Sequence, residues 1–293
     1  HSLKKYTVLI PLRYPYDSKR AVNLHHDTDI FIRVTEKMVD ETTTMVLIQR
    51  SKGYSTRKSL SIETIEKICK TVKSKNPNCI CFVDNCYGEF VDKFEPTDVG
   101  ADLMAGSLIK NAGGGIVEAG GYIAGKELYV ERSANRLTAP GIGSEGGAMF
   151  NQHRLIFQGL FMAPSVVSEA VKGAVLAAKV FEDIGFNSTP KYNEKRTDII
   201  QTVGLKNKEN LVKFTQGIQE SSPVDSFVYV MPAPMPGYPF DEVMAAGSFT
   251  QGSTIELSAD APVVEPYTLY MQGGLTQEYG KLGIMLALSK INK

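Results

Sequence analysis

The run Cys79-Ile80-Cys81-Phe82-Val83 leads directly into Asp84-Asn85-Cys86-Tyr87-Gly88. The same stretch closes on Asp102-Leu103-Met104-Ala105-Gly106-Ser107-Leu108-Ile109-Lys110-Asn111. Its first part has the length and apolar character of a short buried strand that ends in a carboxylate. Its last part is a second such strand that passes through small residues to a lysine. Two strands that deliver polar groups at their carboxyl ends are the usual plan of an open α/β sheet with a site along one edge.

These residue types suit one kind of chemistry. An anion beside a pyridine nitrogen keeps that nitrogen protonated and the ring electron-poor, which is a role for Asp84. A lysine forms a Schiff base with an aldehyde once burial and nearby cations favour its neutral amine, which is a role for Lys110. Ser107, three positions earlier, can donate its hydroxyl to a phosphate on the same tight turn. We read the stretch as a site built around pyridoxal phosphate. Taken alone, these residues fit an ordinary α/β core with incidental polar positions about equally well.

The pattern extends further. Asp84-Asn85 at a strand end with Ser107-x-x-Lys110 downstream resembles the fold type I pyridoxal-phosphate enzymes. The run Ile48-Gln49-Arg50-Ser51-Lys52-Gly53-Tyr54-Ser55-Thr56-Arg57 resembles their aluminium-resistance branch, related to cystathionine and methionine lyases. Gly113-Gly114-Gly115-Ile116, Gly120-Gly121-Tyr122-Ile123-Ala124-Gly125, Arg136-Leu137-Thr138-Ala139-Pro140-Gly141-Ile142-Gly143 and Gln272-Gly273-Gly274-Leu275 carry the likeness from about Thr44 to the C-terminus. The resemblance implies Lys110 as Schiff-base lysine, Asp84 as pyridinium partner and Ser107 as phosphate ligand. It also implies a homo-oligomer with active sites at subunit interfaces. One departure stands out: the Ser-Gly-Thr-like phosphate cup expected before Asp84, where a helix N-terminus faces the phosphate, is not found. The resemblance therefore implies a chain lacking its usual N-terminal part.

Composition narrows the classes. The 293 residues are 43% hydrophobic, enough for a substantial core, and 32 basic residues balance 32 acidic ones. No overall field exists to attract nucleic acid or an anionic membrane, so a small amino-acid substrate is the expected partner. No apolar run is expected to reach the ~18 residues of a membrane span and no signal-peptide core is visible, so a cytoplasmic protein is expected. Cys69, Cys79, Cys81 and Cys86 read as reduced thiols, mostly in the core, and no Cys/His set has zinc spacing, so no metal is expected. His25-His26 reads as surface.

Arg50 and Arg57 flank Gly53-Tyr54 just after a strand at Met45 to Gln49. Arg50, whose planar fork suits a carboxylate, and more weakly Tyr54, are candidate substrate-binding residues. Ile30, Val34 and Met38 predict a short helix, and Tyr6 to Leu12 a strand. Ser61 followed by Ile62, Ile65, Ile68 and Val72 predicts a capped amphipathic helix. Gly141-Ile142-Gly143-Ser144-Glu145-Gly146 matches a dinucleotide fingerprint in letters only, since Pro140 precedes it and no βαβ unit surrounds it. A long helix is predicted from Pro164 to Ile184, strands at Val224 to Met231, Ser253 to Leu257 and Tyr267 to Met271, and a closing helix from Lys281 to Ile291.

The expected fold is α/β, a mostly parallel sheet flanked by helices in a large domain over residues 1–163. A connecting helix and small α+β domain follow over 164–293. The expected function is carbon–sulfur lysis of a cystathionine-like or methionine-like amino acid. The alternatives are a non-catalytic remnant or interaction protein of the same fold, or a pyridoxal-phosphate enzyme of another reaction type such as an aminotransferase. A nicotinamide oxidoreductase read from the Gly141 loop is a distant third.

Overall fold

The computed structural model describes residues 5–9, 28–55, 57–139, 141–146 and 149–291. His25-His26 lies outside them. The chain packs as two units. Unit 1 takes the described residues up to Ser107 together with Gly121–Arg154, and unit 2 takes Leu108–Gly120 together with Leu155 onward. This divides the chain differently from a single boundary near residue 163, because the segment that follows Ser107 leaves unit 1 and returns to it.

Unit 1 is built on a five-stranded sheet in the order β1 (Lys5–Leu9), β2 (Thr43–Gln49), β3 (Ile80–Asp84), β4 (Leu103–Ser107) and β5 (Gly121–Gly125). The first four strands are parallel, and β5 runs antiparallel to β4. In register, Gln49 pairs with Asp84 and Asp84 with Ala105, so the carboxyl ends of β2, β3 and β4 lie side by side. Helices α1 (Thr28–Met38) and α2 (Ile62–Lys75) fall where the apolar spacing predicts. Ser61 caps α2, accepting from Thr64 N at 3.2 Å. Ile62, Ile65, Ile68, Cys69 and Val72 of α2 pack with Val46, Ile48, Cys81 and Val83 of the sheet in one core. None of the four cysteines forms a disulfide; Cys86 is only half-buried and the other three are buried. Helix α3 (Glu127–Leu137) follows β5.

A buried ion pair closes the other end of this sheet. Asp102 is 1% exposed, its Oδ2 accepts from Lys73 Nζ at 2.6 Å and from Cys81 N at 2.8 Å, and its Oδ1 meets Lys126 Nζ at 2.6 Å. Burial pushes the carboxyl up, but the bonds from Lys126, Lys73 and Cys81 N outweigh it, and its pKa is lowered.

Unit 2 contains helix α4 (His153–Asp183), which starts well before Pro164 and carries that proline inside it. Its sheet is antiparallel throughout, in the order β6 (Asn187–Thr189), β7 (Gln201–Gly204), β11 (Thr268–Gln272), β10 (Ser258–Pro262), β9 (Asp241–Ala245), β8 (Ala233–Pro234). Helices α5 (Lys208–Glu220) and α6 (Gln277–Ile291) cover one face; Phe214, Ile218, Ile284 and Ala287 share a core with Val203, Val243, Leu257 and Leu269.

Two expected strands are displaced. Val224 to Met231 is irregular, with Phe227, Tyr229 and Met231 turned outward while Val230 packs against the core of unit 2. Ser253 to Leu257 is a loop in which Glu256 accepts from Phe249 N and Thr250 N, a local bonding pattern that competes with a strand ladder. Contrary to expectation, α4 is long and apolar enough by length and composition alone to cross a membrane. Its stripe Ala163, Val167, Ala170, Ala174, Ala177 and Phe181 is buried in protein.

The Asp102 arrangement yields a graded expectation. Asp102→Ala strands the amine of Lys73 and is expected to cost about 3 kcal/mol, whereas Lys126→Ala, at an exposed amine, costs less than about 1 kcal/mol. Urea denaturation near neutral pH measures both. Because the folded-state pKa of Asp102 is lowered, its contribution is present above the ordinary carboxylate range and is lost as pH falls through the folded value.

Candidate active site

Three neighbouring strand ends of unit 1 supply the site. Arg50 follows β2, Asp84 ends β3, and Ser107 ends β4. Arg50 N donates to Asp84 O at 3.0 Å, and Asn85 N donates to Ala105 O at 2.8 Å, so the chain continues the pairing one residue beyond the strands. Asp84 is half-buried. Its Oδ1 accepts from Cys86 N at 3.1 Å, and among the described residues its second oxygen has no hydrogen-bond partner.

The residue after Asp84 is the most constrained. Asn85 is fully buried. Its Oδ1 accepts from Arg50 Nη1 at 2.7 Å, and its Nδ2 donates to Glu95 Oε2 at 2.9 Å and lies 3.4 Å from Tyr122 Oη. Glu95 Oε2 also meets Arg50 Nη1 at 3.4 Å, while its Oε1 accepts from Phe90 N at 2.9 Å. Tyr122 Oη donates to Glu89 Oε1 at 2.9 Å. Arg50, a candidate for gripping a substrate carboxylate, is fully buried with its Nη1 committed to this cluster, while its Nε and Nη2 have no partner among the described residues. Arg57 is also buried, donating to the carbonyls of Gln49, Ser51 and Lys58 with its guanidinium 5.6 Å from the Phe31 ring centre, which makes it a loop anchor. Tyr54 is half-buried on the same loop.

Two glycines make this close packing possible. A Cβ on Gly88 would fall 2.5 Å from Arg50 Cδ, and one on Gly106 would fall 2.3 Å from Glu89 Oε1. Tyr87 and Phe90 flank the turn with φ of 73° and 61°, a left-handed backbone that side chains resist. Burial pushes the Glu89 carboxyl up to about 7, with Glu95 adding to the rise and Tyr122 and Arg50 opposing it. Burial likewise pushes the Tyr122 phenol well above its usual range, with Glu89 beside it contributing.

Lys110 belongs to unit 2. It is half-buried and immediately precedes a short 3-10 turn, Asn111–Gly113. Its predecessor Ile109 accepts from Ile255 N at 3.2 Å, and Asn111 is fully buried. A Cβ on Gly113 would lie 1.6 Å from Leu108 O, and one on Gly114 would lie 2.4 Å from Gly159 O. The glycine run after the lysine is therefore a packing requirement: it brings the turn against the backbone of α4.

With these features in view, the comparisons with known proteins are informative. The family model described as methionine gamma-lyase matches residues 11–292. The chain belongs to the methionine gamma-lyase family. A solved structure from Clostridium acetobutylicum, described as a proposed cystathionine beta-lyase involved in aluminum resistance, is 53% identical with a TM-score of 0.84. The match covers 90% of this chain and 61% of that one. A structure described in the same terms from Listeria innocua is 42% identical with a TM-score of 0.90, covering 97% of this chain and 74% of that one. The curated protein YnbB of Bacillus subtilis, itself uncharacterized, is 48% identical over 271 residues, which are 92% of this chain and 64% of YnbB. The chain thus spans less than two thirds of the length of YnbB and of the C. acetobutylicum protein. The fold is that of fold type I pyridoxal-phosphate enzymes, and the family points to a lyase.

Glu89, Glu95 and Tyr122 escaped the sequence reading because the bonds that gather them, Tyr122 to Glu89 and Arg50 to Glu95, join residues far apart in the chain. The signal that was available is the pair of glycines, Gly88 and Gly106, flanking positions already under suspicion.

The raised pKa of Glu89 gives this site a pH signature. A buried acid that resists ionisation stabilises the fold fully below its unfolded value near 4.5, and this contribution declines as pH rises and is lost through about 7. Relative to Glu89→Gln, the wild type is therefore expected to lose on the order of 3 kcal/mol across that window. Paired urea titrations at several pH values measure the difference; parallel curves would show that Glu89 ionises freely.

Proposed function

We propose that this chain carries the pyridoxal-phosphate machinery of a carbon–sulfur lyase acting on a cystathionine-like or methionine-like amino acid. The observation that carries the reading is Asp84: a carboxylate at the carboxyl end of a central parallel strand, oriented by Cys86 N through one oxygen and with the other unbonded among the described residues. That is the anionic acceptor a protonated pyridine nitrogen requires, so the residues present fit the cofactor. Membership of the methionine gamma-lyase family supports the same assignment.

When bound, pyridoxal phosphate supplies an electron-withdrawing ring that stabilises negative charge at the substrate α-carbon. Asp84 would hold the ring nitrogen in its protonated form. Ser107 would offer its hydroxyl to the phosphate. Lys110 would supply the amine that holds the aldehyde and, when free, a base for the substrate's α-proton. Arg50 N and Ala105 O bond the peptide between Asp84 and Asn85 from both sides, which fixes the backbone from which the Asp84 carboxylate projects. The relatives described as lyases involved in aluminum resistance support carbon–sulfur cleavage over transamination.

The test is direct. Protein mixed with pyridoxal phosphate is expected to develop a visible absorption band that borohydride bleaches, with the reduced adduct mapped by mass to Lys110, and Lys110→Ala is expected to form neither. The bound protein is then expected to release a thiol from one of the sulfur amino acids, as followed with a thiol-reactive dye. A band that persists in Lys110→Ala, or no band in the parent, would overturn the reading.

A further inference from the structure

We infer that Glu89 is a positioning residue for this site, its buried carboxyl fixing Tyr122 and Asn85 so that the Asp84 and Ser107 ends of β3 and β4 hold a set separation. The inference rests on the reading of Asp84 and Ser107 given above and assigns a role to a residue that touches neither of them.

The geometry runs in both directions from the Glu89 carboxyl. On one side Glu89 Oε1 accepts from Tyr122 Oη at 2.9 Å, and Tyr122 Oη stands 3.4 Å from the amide of Asn85, the residue bonded directly to Asp84. On the other side the same oxygen fills the space that a side chain would take at Gly106, the residue bonded directly to Ser107: a Cβ there would lie 2.3 Å from Oε1 and 2.6 Å from the Tyr122 ring. One carboxyl oxygen thus lies beside the neighbour of each of the two cofactor-facing positions.

The charges around Glu89 show why an acid is held there. Arg50 after β2, Glu95 from the loop after β3 and Tyr122 from β5 are the titratable groups that act on it. Arg50 and Glu95 are paired at 3.4 Å and share Asn85, so the cluster is already neutral without Glu89. An extra carboxyl in a neutral, desolvated cluster costs stability, and it sits on a turn already strained at Tyr87 and Phe90. Strain and a buried polar group retained together at strand ends are characteristic of a functional constraint. A purely structural filler at this position would be apolar.

The function of an acceptor, and not of volume or charge, separates three variants. Glu89→Leu keeps volume and loses the acceptor; Glu89→Gln keeps the acceptor without the charge; Tyr122→Phe removes the donor. In a fluorescence titration with pyridoxal phosphate, Glu89→Leu and Tyr122→Phe are each expected to weaken binding about tenfold, the scale on which supporting groups act on a bound cofactor. Glu89→Gln is expected to stay within about twofold. The double variant Glu89→Leu/Tyr122→Phe is expected to lose about tenfold and not about a hundredfold, because both changes break the 2.9 Å Tyr122–Glu89 bond that they share.

A second readout needs no cofactor. With no cofactor added, the backbone amides of Asn85 and Gly88, bonded to Ala105 O at 2.8 Å and Asn85 O at 2.9 Å, are expected to exchange hydrogen about tenfold faster in Glu89→Leu than in Glu89→Gln. Unchanged affinity and exchange in Glu89→Leu would overturn the inference, as would losses as large in Glu89→Gln or additive losses in the double variant. If the parent protein binds no pyridoxal phosphate, the proposed function fails, and the exchange rates still decide whether Glu89 positions this turn.

Discussion

The side-chain amide of Asn85 is the constraint on which this end of the molecule depends. It sits without solvent contact at the point where three parallel strands stop. A buried amide needs both an acceptor and a donor facing it, or it destabilises the fold by roughly 1–3 kcal/mol for each group left unmet. The donor is Arg50 and the acceptor is Glu95, and these two bring a guanidinium and a carboxylate into the protein. Once inside, those charges need each other, and the turn from Asp84 to Glu95 is shaped by that need. Glu95 accepts from Phe90 N as well, which ties the far side of the turn back to the same carboxylate. Asp84 is thus oriented by a network in which it takes little direct part.

The layering of the chain follows from this arrangement. Apolar residues of α2 and the sheet form a core that ends near Val83. Beyond it the interior becomes polar over the length of one residue. A low-dielectric layer immediately beneath a hydrogen-bonded one strengthens each electrostatic contact above it. At the opposite end of β4, Asp102 with its two lysines makes a second polar boundary. The strand is therefore fixed by ionic or polar groups at both ends and by hydrocarbon between.

Sequence pattern made much of this visible, and the reasons for success and failure are physical. The helix from Ile62 and the strand into Asp84 were legible because local periodicity and a single cap specify them, and both are satisfied by neighbours in the chain. Asp84, Ser107 and Lys110 drew attention because they stand at motif spacing within one short stretch of the chain. The cluster around Asn85 was not, since Tyr122 lies 37 residues from Asn85 and Glu95 lies 45 from Arg50, and no short window contains both members of a pair. The apolar letters of Val224 to Met231 misled for the converse reason: pattern reports what a segment could bury, while the fold decides whether anything is there to bury it against.

The glycines that follow Lys110 have a mechanical meaning. Where Gly114 meets Gly159 and Ala163, two main chains touch with no side chain between them. Side chains act as compliant spacers that absorb small displacements by changing rotamer; bare backbone contacts do not. The stretch of α4 at Gly159 to Ala163 and the turn carrying Lys110 therefore meet with no rotamer freedom between them, which makes the placement of the lysine's backbone depend on the placement of the helix.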